Sequence, residues 1–105
     1  MIRIAGAAAL ALAAACGGGD EPPRRHVIKI SAFRYQPSTV EARPGDTIVW
    51  INRDVLPHTA TDRASGWDTG SMAAGGQGSV VVERPGSYAY VCAFHPNMAA
   101  TLVVR

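Results

Sequence analysis

After Arg25, no window of a dozen residues repeats its apolar positions with the period of a helix. Short runs of β-branched and aromatic residues, cut by turn signals, stand there instead. The runs fall at 26–31, 39–42, 47–52, 79–83, 87–92 and 101–104, with Pro44-Gly45-Asp46 and Pro85-Gly86 as turns between them. Segment 62–78 holds five glycines and few large apolar residues, and is expected to form short edge strands and loops over one side. Many short strands without helices imply an antiparallel sandwich or barrel.

The chain has 105 residues, enough for one compact domain. Its start differs from the rest. Thirteen of the first 15 residues are apolar, eight of them Ala, behind the short positive start Met1-Ile2-Arg3. The apolar run at 4–15 is too short to span a bilayer and has the form of an export signal. Ala13-Ala14-Ala15 followed by Cys16 resembles the end of a bacterial lipoprotein signal, in which that cysteine carries a lipid, although Ala13 stands where Leu is more usual. An ordinary secretory signal with an incidental Cys16 is the alternative. Gly17 through Arg25 has almost nothing to bury and reads as a tether. The expected organisation is a signal peptide at 1–15, a lipidated Cys16 and flexible tether at 16–25, and one domain at 26–105. Residues 16–105 carry nine Lys/Arg against eight Asp/Glu, a balance with no footprint for nucleic acid.

Export makes Cys92 conspicuous, because a lone thiol in an oxidising compartment is a liability unless buried or bound. It opens Cys92-Ala93-Phe94-His95-Pro96-Asn97-Met98, and His58 lies 34 residues upstream. Singly, a strand-end cysteine is a small hydrophobe, a loop histidine is solvated, and a methionine after a turn fills a gap. Together, two imidazoles, a thiolate and a thioether are the donor set of a blue-copper site, with His58, Cys92, His95 and Met98 as ligands. A tight turn after a strand would return His95 and Met98 to the point where Cys92 ends, while His58 comes from a separate loop. Pro57 and Pro96 stiffen those loops. Structural zinc wants four strong donors and rarely takes a thioether, so copper is the better fit.

Over residues 26–105 the sequence resembles the cupredoxins, the small type I copper proteins of amicyanin, plastocyanin and pseudoazurin type. The resemblance rests on Phe33-Arg34-Tyr35-Gln36-Pro37, Gly45-Asp46 ahead of Val49-Trp50-Ile51-Asn52, His58, Gly66, Gly70, Pro85-Gly86, Tyr88-Ala89-Tyr90 and the loop at 92–98. The two-residue gap between His95 and Met98 is the short amicyanin-like form. Val82 and Ala100 depart from the pattern, where an aromatic residue and a glycine are common. The resemblance implies a Greek-key β-sandwich of about seven to eight strands with little helix. It also implies one copper ion and a Thr59 amide within reach of the Cys92 sulfur. His95 would then lie at the surface in an apolar patch drawn from Leu56, Pro57, Ala93, Phe94, Pro96, Met98 and Ala99.

Several other residues have plainer readings. Tyr88 and Tyr90 share the face of Cys92 and are expected in the core, as is Trp50. Asn52 either ties the two ligand loops or ends a strand. His26 is expected to be solvated, and Met72 to pack or lie at the surface. The implied function is one-electron transfer by an exported, non-enzymatic carrier that acts as a monomer. Its partners would be redox proteins such as a c-type cytochrome, a dehydrogenase or an oxidase, and the membrane would be met only through Cys16. The alternative is a lipid-tethered carrier or buffer delivering Cu(I), which would need an exposed Met/His transfer surface. A catalytic copper enzyme would need histidines for a second copper, and three histidines do not supply them.

Overall fold

The computed structural model describes residues 21–105, so the leader and Cys16 lie outside the described residues. Seven strands form two sheets, with no helix among the described residues. β1 (Arg25–Ser31), β2 (Arg34–Gln36), β4 (Thr47–Asn52) and β5 (Gln77–Val81) make one sheet in the order β2-β1-β4-β5. β3 (Thr39–Ala42), β7 (His95–Val104) and β6 (Gly86–Cys92) make the other, in the order β3-β7-β6. This is the expected all-β sandwich. The sheets are mixed, however, because β1 runs parallel to β4 and β3 parallel to β7.

The core fills the space between the sheets. Ile28 and Ile30 of β1, Ile48 and Trp50 of β4, Tyr90 of β6 and Leu102 of β7 are fully or almost fully buried, each on the inward face of its strand. Burial of each such side chain stabilises the fold by about 1.5–3 kcal/mol relative to exposure. Val82 and Ala100 are both buried in this cluster, Val82 smaller than the aromatic residue and Ala100 larger than the glycine that the resemblance calls for. Tyr90 is in the core as expected, and Tyr88 packs half-buried against it while its hydroxyl donates to Arg84 O.

Three strands differ from the sequence reading by more than one residue. β2 was not expected, since Arg34-Tyr35-Gln36 is too short and polar to stand out; it forms by pairing with β1 and buries Tyr35 alone. β5 starts two residues early, at Gln77, because β4 supplies a partner ladder there. Val82 then leaves that ladder and exchanges hydrogen bonds with Gly45 and Asp46. β7 starts at His95 rather than near Thr101, because β6 pairs with it back to the turn.

The end of the chain where β1 begins is held by Asp46. Its carboxylate accepts from the amides of Arg24 (2.8 Å) and Arg43 (3.0 Å) and meets His26 Nε2 at 2.8 Å. His26 is therefore part of a buried-carboxylate contact and not a solvated residue. Burial pushes the Asp46 carboxyl up, but those two amides and the imidazole outweigh it and hold its pKa at about 2.

Candidate metal centre

The opposite end gathers the chemistry. β4 runs from Thr47 beside Arg25 to Asn52 beside Ile30, so its far end lies a sheet length from the Asp46 cluster. Three turns meet there. One joins β1 to β2, one follows β4 and carries His58, and one joins β6 to β7.

Cys92 and His95 are cross-strand partners flanking the two-residue turn of Ala93 and Phe94, with a register irregularity between Val91 and Cys92. The hairpin alone therefore brings the His95 ring to the sulfur. His58 is placed by longer-range pairing. Its backbone exchanges two hydrogen bonds with Met72 (3.1 and 2.8 Å), and Thr61 exchanges two with Val91 on β6 (2.8 and 2.9 Å). This ties the stretch from His58 to Thr61 alongside the strand that ends in Cys92.

The result is a compact donor set. His58 Nδ1 and His95 Nδ1 each lie 3.7 Å from Cys92 Sγ, and the three ligand atoms all fall within 4.8 Å of one another. His58 and Cys92 are wholly buried, and His95 is half-buried at the rim. The Thr59 amide donates to Cys92 Sγ at 3.4 Å, the contact that the family resemblance implies. Thr59 Oγ1 accepts from the Ala93 amide at 2.8 Å, joining the His58 loop to the Cys92 turn a second time. Met98 lies on β7, buried in the same apolar cluster as Cys92.

His58 is oriented from behind. Its Nε2 meets Asp54 Oδ2 at 2.9 Å, so the Nε2–H donates outward and Nδ1 keeps its lone pair toward the sulfur. Asp54 has further work. Its carboxylate accepts from the amides of Ala32 (2.7 Å) and Phe33 (2.9 Å), the two residues of the β1–β2 turn. Burial pushes the Asp54 carboxyl up, but those amides and the His58 imidazole more than offset this and hold it below the ordinary carboxylate range. Sequence reasoning missed Asp54. A single aspartate in a loop carries no local signal, and its partners at Ala32 and Phe33 are 22 and 21 residues away.

Phe33 was also missed as a site residue. Ala32 and Phe33 have φ of 54° and 59°, a two-residue hairpin turn that ordinarily asks for Asn-Gly. Left-handed backbone costs an ordinary residue roughly 1–2 kcal/mol. The Phe33 ring packs edge-to-face on His58 and on His95, with centroids 4.9 and 4.8 Å apart.

Asn52 is a tie, though not the one foreseen. Its side chain donates to Leu56 O and Met72 O at 2.9 Å each and accepts from the Asp54 amide at 2.9 Å. It joins the His58 loop to the Met72 segment, and none of these bonds reaches the turn at Cys92. Met72 is a core residue whose backbone supports His58. Of the expected apolar patch, Leu56, Pro57, Phe94, Pro96 and Ala99 are exposed and Ala93 is half-buried. Met98 is buried, so it is not part of the surface, while Phe33 and Val55 join it as exposed apolar residues.

Deeper in, Tyr35 donates from its hydroxyl to Thr59 O at 2.5 Å, and Trp50 Nε1 donates to Tyr90 Oη at 3.2 Å. Burial raises both phenols, that of Tyr90 to about 12, so both stay neutral. They are structural supports beneath the donor set.

One buried thiol facing two imidazole nitrogens, with an amide aimed at the sulfur and a carboxylate behind one ring, suits a soft, thiolate-binding metal. Such a pocket at one pole of a two-sheet sandwich defines the cupredoxin class. The family model described as copper binding proteins of the plastocyanin/azurin family matches residues 25–105. Amicyanin-alpha from Methylorubrum extorquens is 31% identical over 103 residues, covering 93% of this chain and 87% of that protein. Amicyanin from Paracoccus versutus is 30% identical over 91 residues, covering 82% and 69%. Among solved structures, an oxidized mutant of amicyanin superposes with a TM-score of 0.73 at 27% identity, covering 76% of this chain and 81% of that one. The chain belongs to the plastocyanin/azurin family of copper-binding proteins. Its cofactor is one copper ion, for which His58, Cys92 and His95 are a fitting set.

Proposed function

We propose that this protein is a type I copper electron carrier, exported from the cytoplasm and not an enzyme. The observation that carries the reading is the convergence of His58 Nδ1, Cys92 Sγ and His95 Nδ1 within 4.8 Å at one end of a rigid sandwich. When bound, copper supplies a one-electron couple between Cu(II) and Cu(I).

The chain does the rest. Two hairpin strands and the paired His58 stretch fix the donors, so the site has little room to rearrange between oxidation states. The Thr59 amide draws negative charge from the sulfur, which is how a neighbouring N–H tunes the potential of a thiolate site. Met98 is the fourth, weak ligand in this reading, supported by its burial beside Cys92. His95, half-buried among exposed Phe33, Leu56 and Phe94, is the edge through which electrons pass. An apolar rim of this kind suits brief docking by redox proteins such as a c-type cytochrome, a dehydrogenase or an oxidase. A periplasmic or cell-surface location, with Cys16 lipidated, follows from the signal-like start.

The copper-delivery alternative draws no support from the two residues on which it leaned. Met72 is buried in the core and His26 is bound to Asp46, so neither forms a transfer surface.

The test is the visible spectrum after addition of Cu(II), beside a Cys92→Ser control. An intense band that a reductant bleaches reversibly, and that the control lacks, is expected. Weak bands in both proteins would overturn the reading.

A further inference from the structure

The two histidines of the donor set are held by different physics. His58 has a carboxylate behind it, with Asp54 Oδ2 at 2.9 Å from Nε2. His95 has no such partner among the described residues. Its ring meets the Cys92 sulfur, the His58 ring and the Phe33 ring.

Phe33 reaches that position at a cost. It sits in a turn of two non-glycine residues that both adopt left-handed backbone, and at 42% exposed it is not a core side chain. Residues in such conformations persist only where surrounding structure over-determines them, and they cluster at functional sites. Here the over-determining contact is Asp54, which accepts from both turn amides and also holds His58.

We propose that Phe33 is a positioning residue of the copper centre: its ring orients the His95 imidazole, as the Asp54 carboxylate orients that of His58. Asp54 thereby governs both ligands, one directly and the other through the turn that presents Phe33. The edge-to-face geometry on each ring, with interplanar angles of 84° and 82°, lets one phenyl ring limit rotation of both imidazoles. Because His58 already has Asp54, the phenyl ring matters mainly to His95.

This inference rests on the copper-centre reading above, and its test separates the two. The copper-loaded protein is compared as wild type, Phe33→Ala and Phe33→Tyr. The readouts are the Cu(II) absorption band, the rate of Cu(II) loss to excess EDTA, and ring NMR signals of both histidines in the Cu(I) form. Thermal unfolding of the metal-free proteins is followed alongside. Phe33→Ala is expected to lose Cu(II) about tenfold faster and to broaden the His95 ring signals while those of His58 stay sharp. Phe33→Tyr, which keeps the ring, is expected to restore both. Should Phe33→Ala not fold, Phe33→Leu gives the same comparison with apolar bulk but no aromatic edge. Unchanged release and unchanged His95 signals in a folded variant would overturn the proposal, as would equal broadening at both histidines. A wild type without the intense band would overturn the copper-centre reading and the proposal with it.

Discussion

The amide of Thr59 lies 3.4 Å from the sulfur of Cys92, while the hydroxyl of the same threonine accepts from the amide of Ala93 at 2.8 Å. One residue thus binds both the thiol and the turn that follows it. The loop that carries His58 holds the hairpin that carries Cys92 and His95.

Thr59→Val tests the second of these bonds with almost no change of shape. The variant keeps its own amide but leaves the Ala93 N–H without its partner, while the Thr61 hydroxyl keeps its bond to Asp68. A lost partner of this kind costs about 1–3 kcal/mol. A melting temperature lowered by several degrees is expected, with faster copper loss because the turn between Cys92 and His95 is freed. Thermal unfolding and release to a chelator measure the two effects.

Asp54→Asn should act mainly on the metal. An amide side chain presents one acceptor oxygen where the carboxylate offers two, and three N–H groups converge on it. Loss of an outer hydrogen bond to a ligand histidine typically weakens metal affinity 10–100-fold. A copper titration against a competing chelator should show a drop in that range. An affinity equal to wild type would count against Asp54 as the group that orients His58.

Acid should weaken the far end of the sandwich through Asp46. Its folded pKa of about 2 lies below its ordinary 3.8, so the folded state favours the charged form. The contribution is complete above the unfolded value and is lost as pH falls from about 5 through about 2. Denaturant unfolding of the metal-free protein should therefore lose stability across that window. Asp46→Asn should be less stable at neutral pH and should flatten the slope.

Gly78→Ala probes the packing beneath His58. A Cβ at Gly78 would stand 2.9 Å from Thr69 Cβ and 3.2 Å from Met72 Sδ, the residue whose backbone pairs with His58. Overpacking of this kind costs about 1–3 kcal/mol. The metal-free protein should melt several degrees lower, and the intensity or position of the Cu(II) band should shift.

The sequence by itself determined most of the strands and pointed to the donor set. The runs at 39–42 and 47–52 are strands to the residue, because alternation of β-formers around turn residues is a local property that needs no partner to be read. His58, Cys92 and His95 were legible because thiolate and imidazole at that spacing have few other uses. Tertiary structure alone decided what surrounds them. β2 exists because β1 offers it an edge, and β5 and β7 begin where β4 and β6 give them partners. Asp54 and the turn of Ala32 and Phe33 are unremarkable in the chain, and the turn runs against local preference. They become a brace only when a carboxylate 21 residues away captures both amides and a ligand ring at once. Likewise His26 has no sequence signal for Asp46, which reaches it only because β1 and β4 start side by side. Periodicity and metal chemistry act through neighbours in sequence or through residue type, whereas these contacts act through space between loops, and only the closed sandwich brings those loops together.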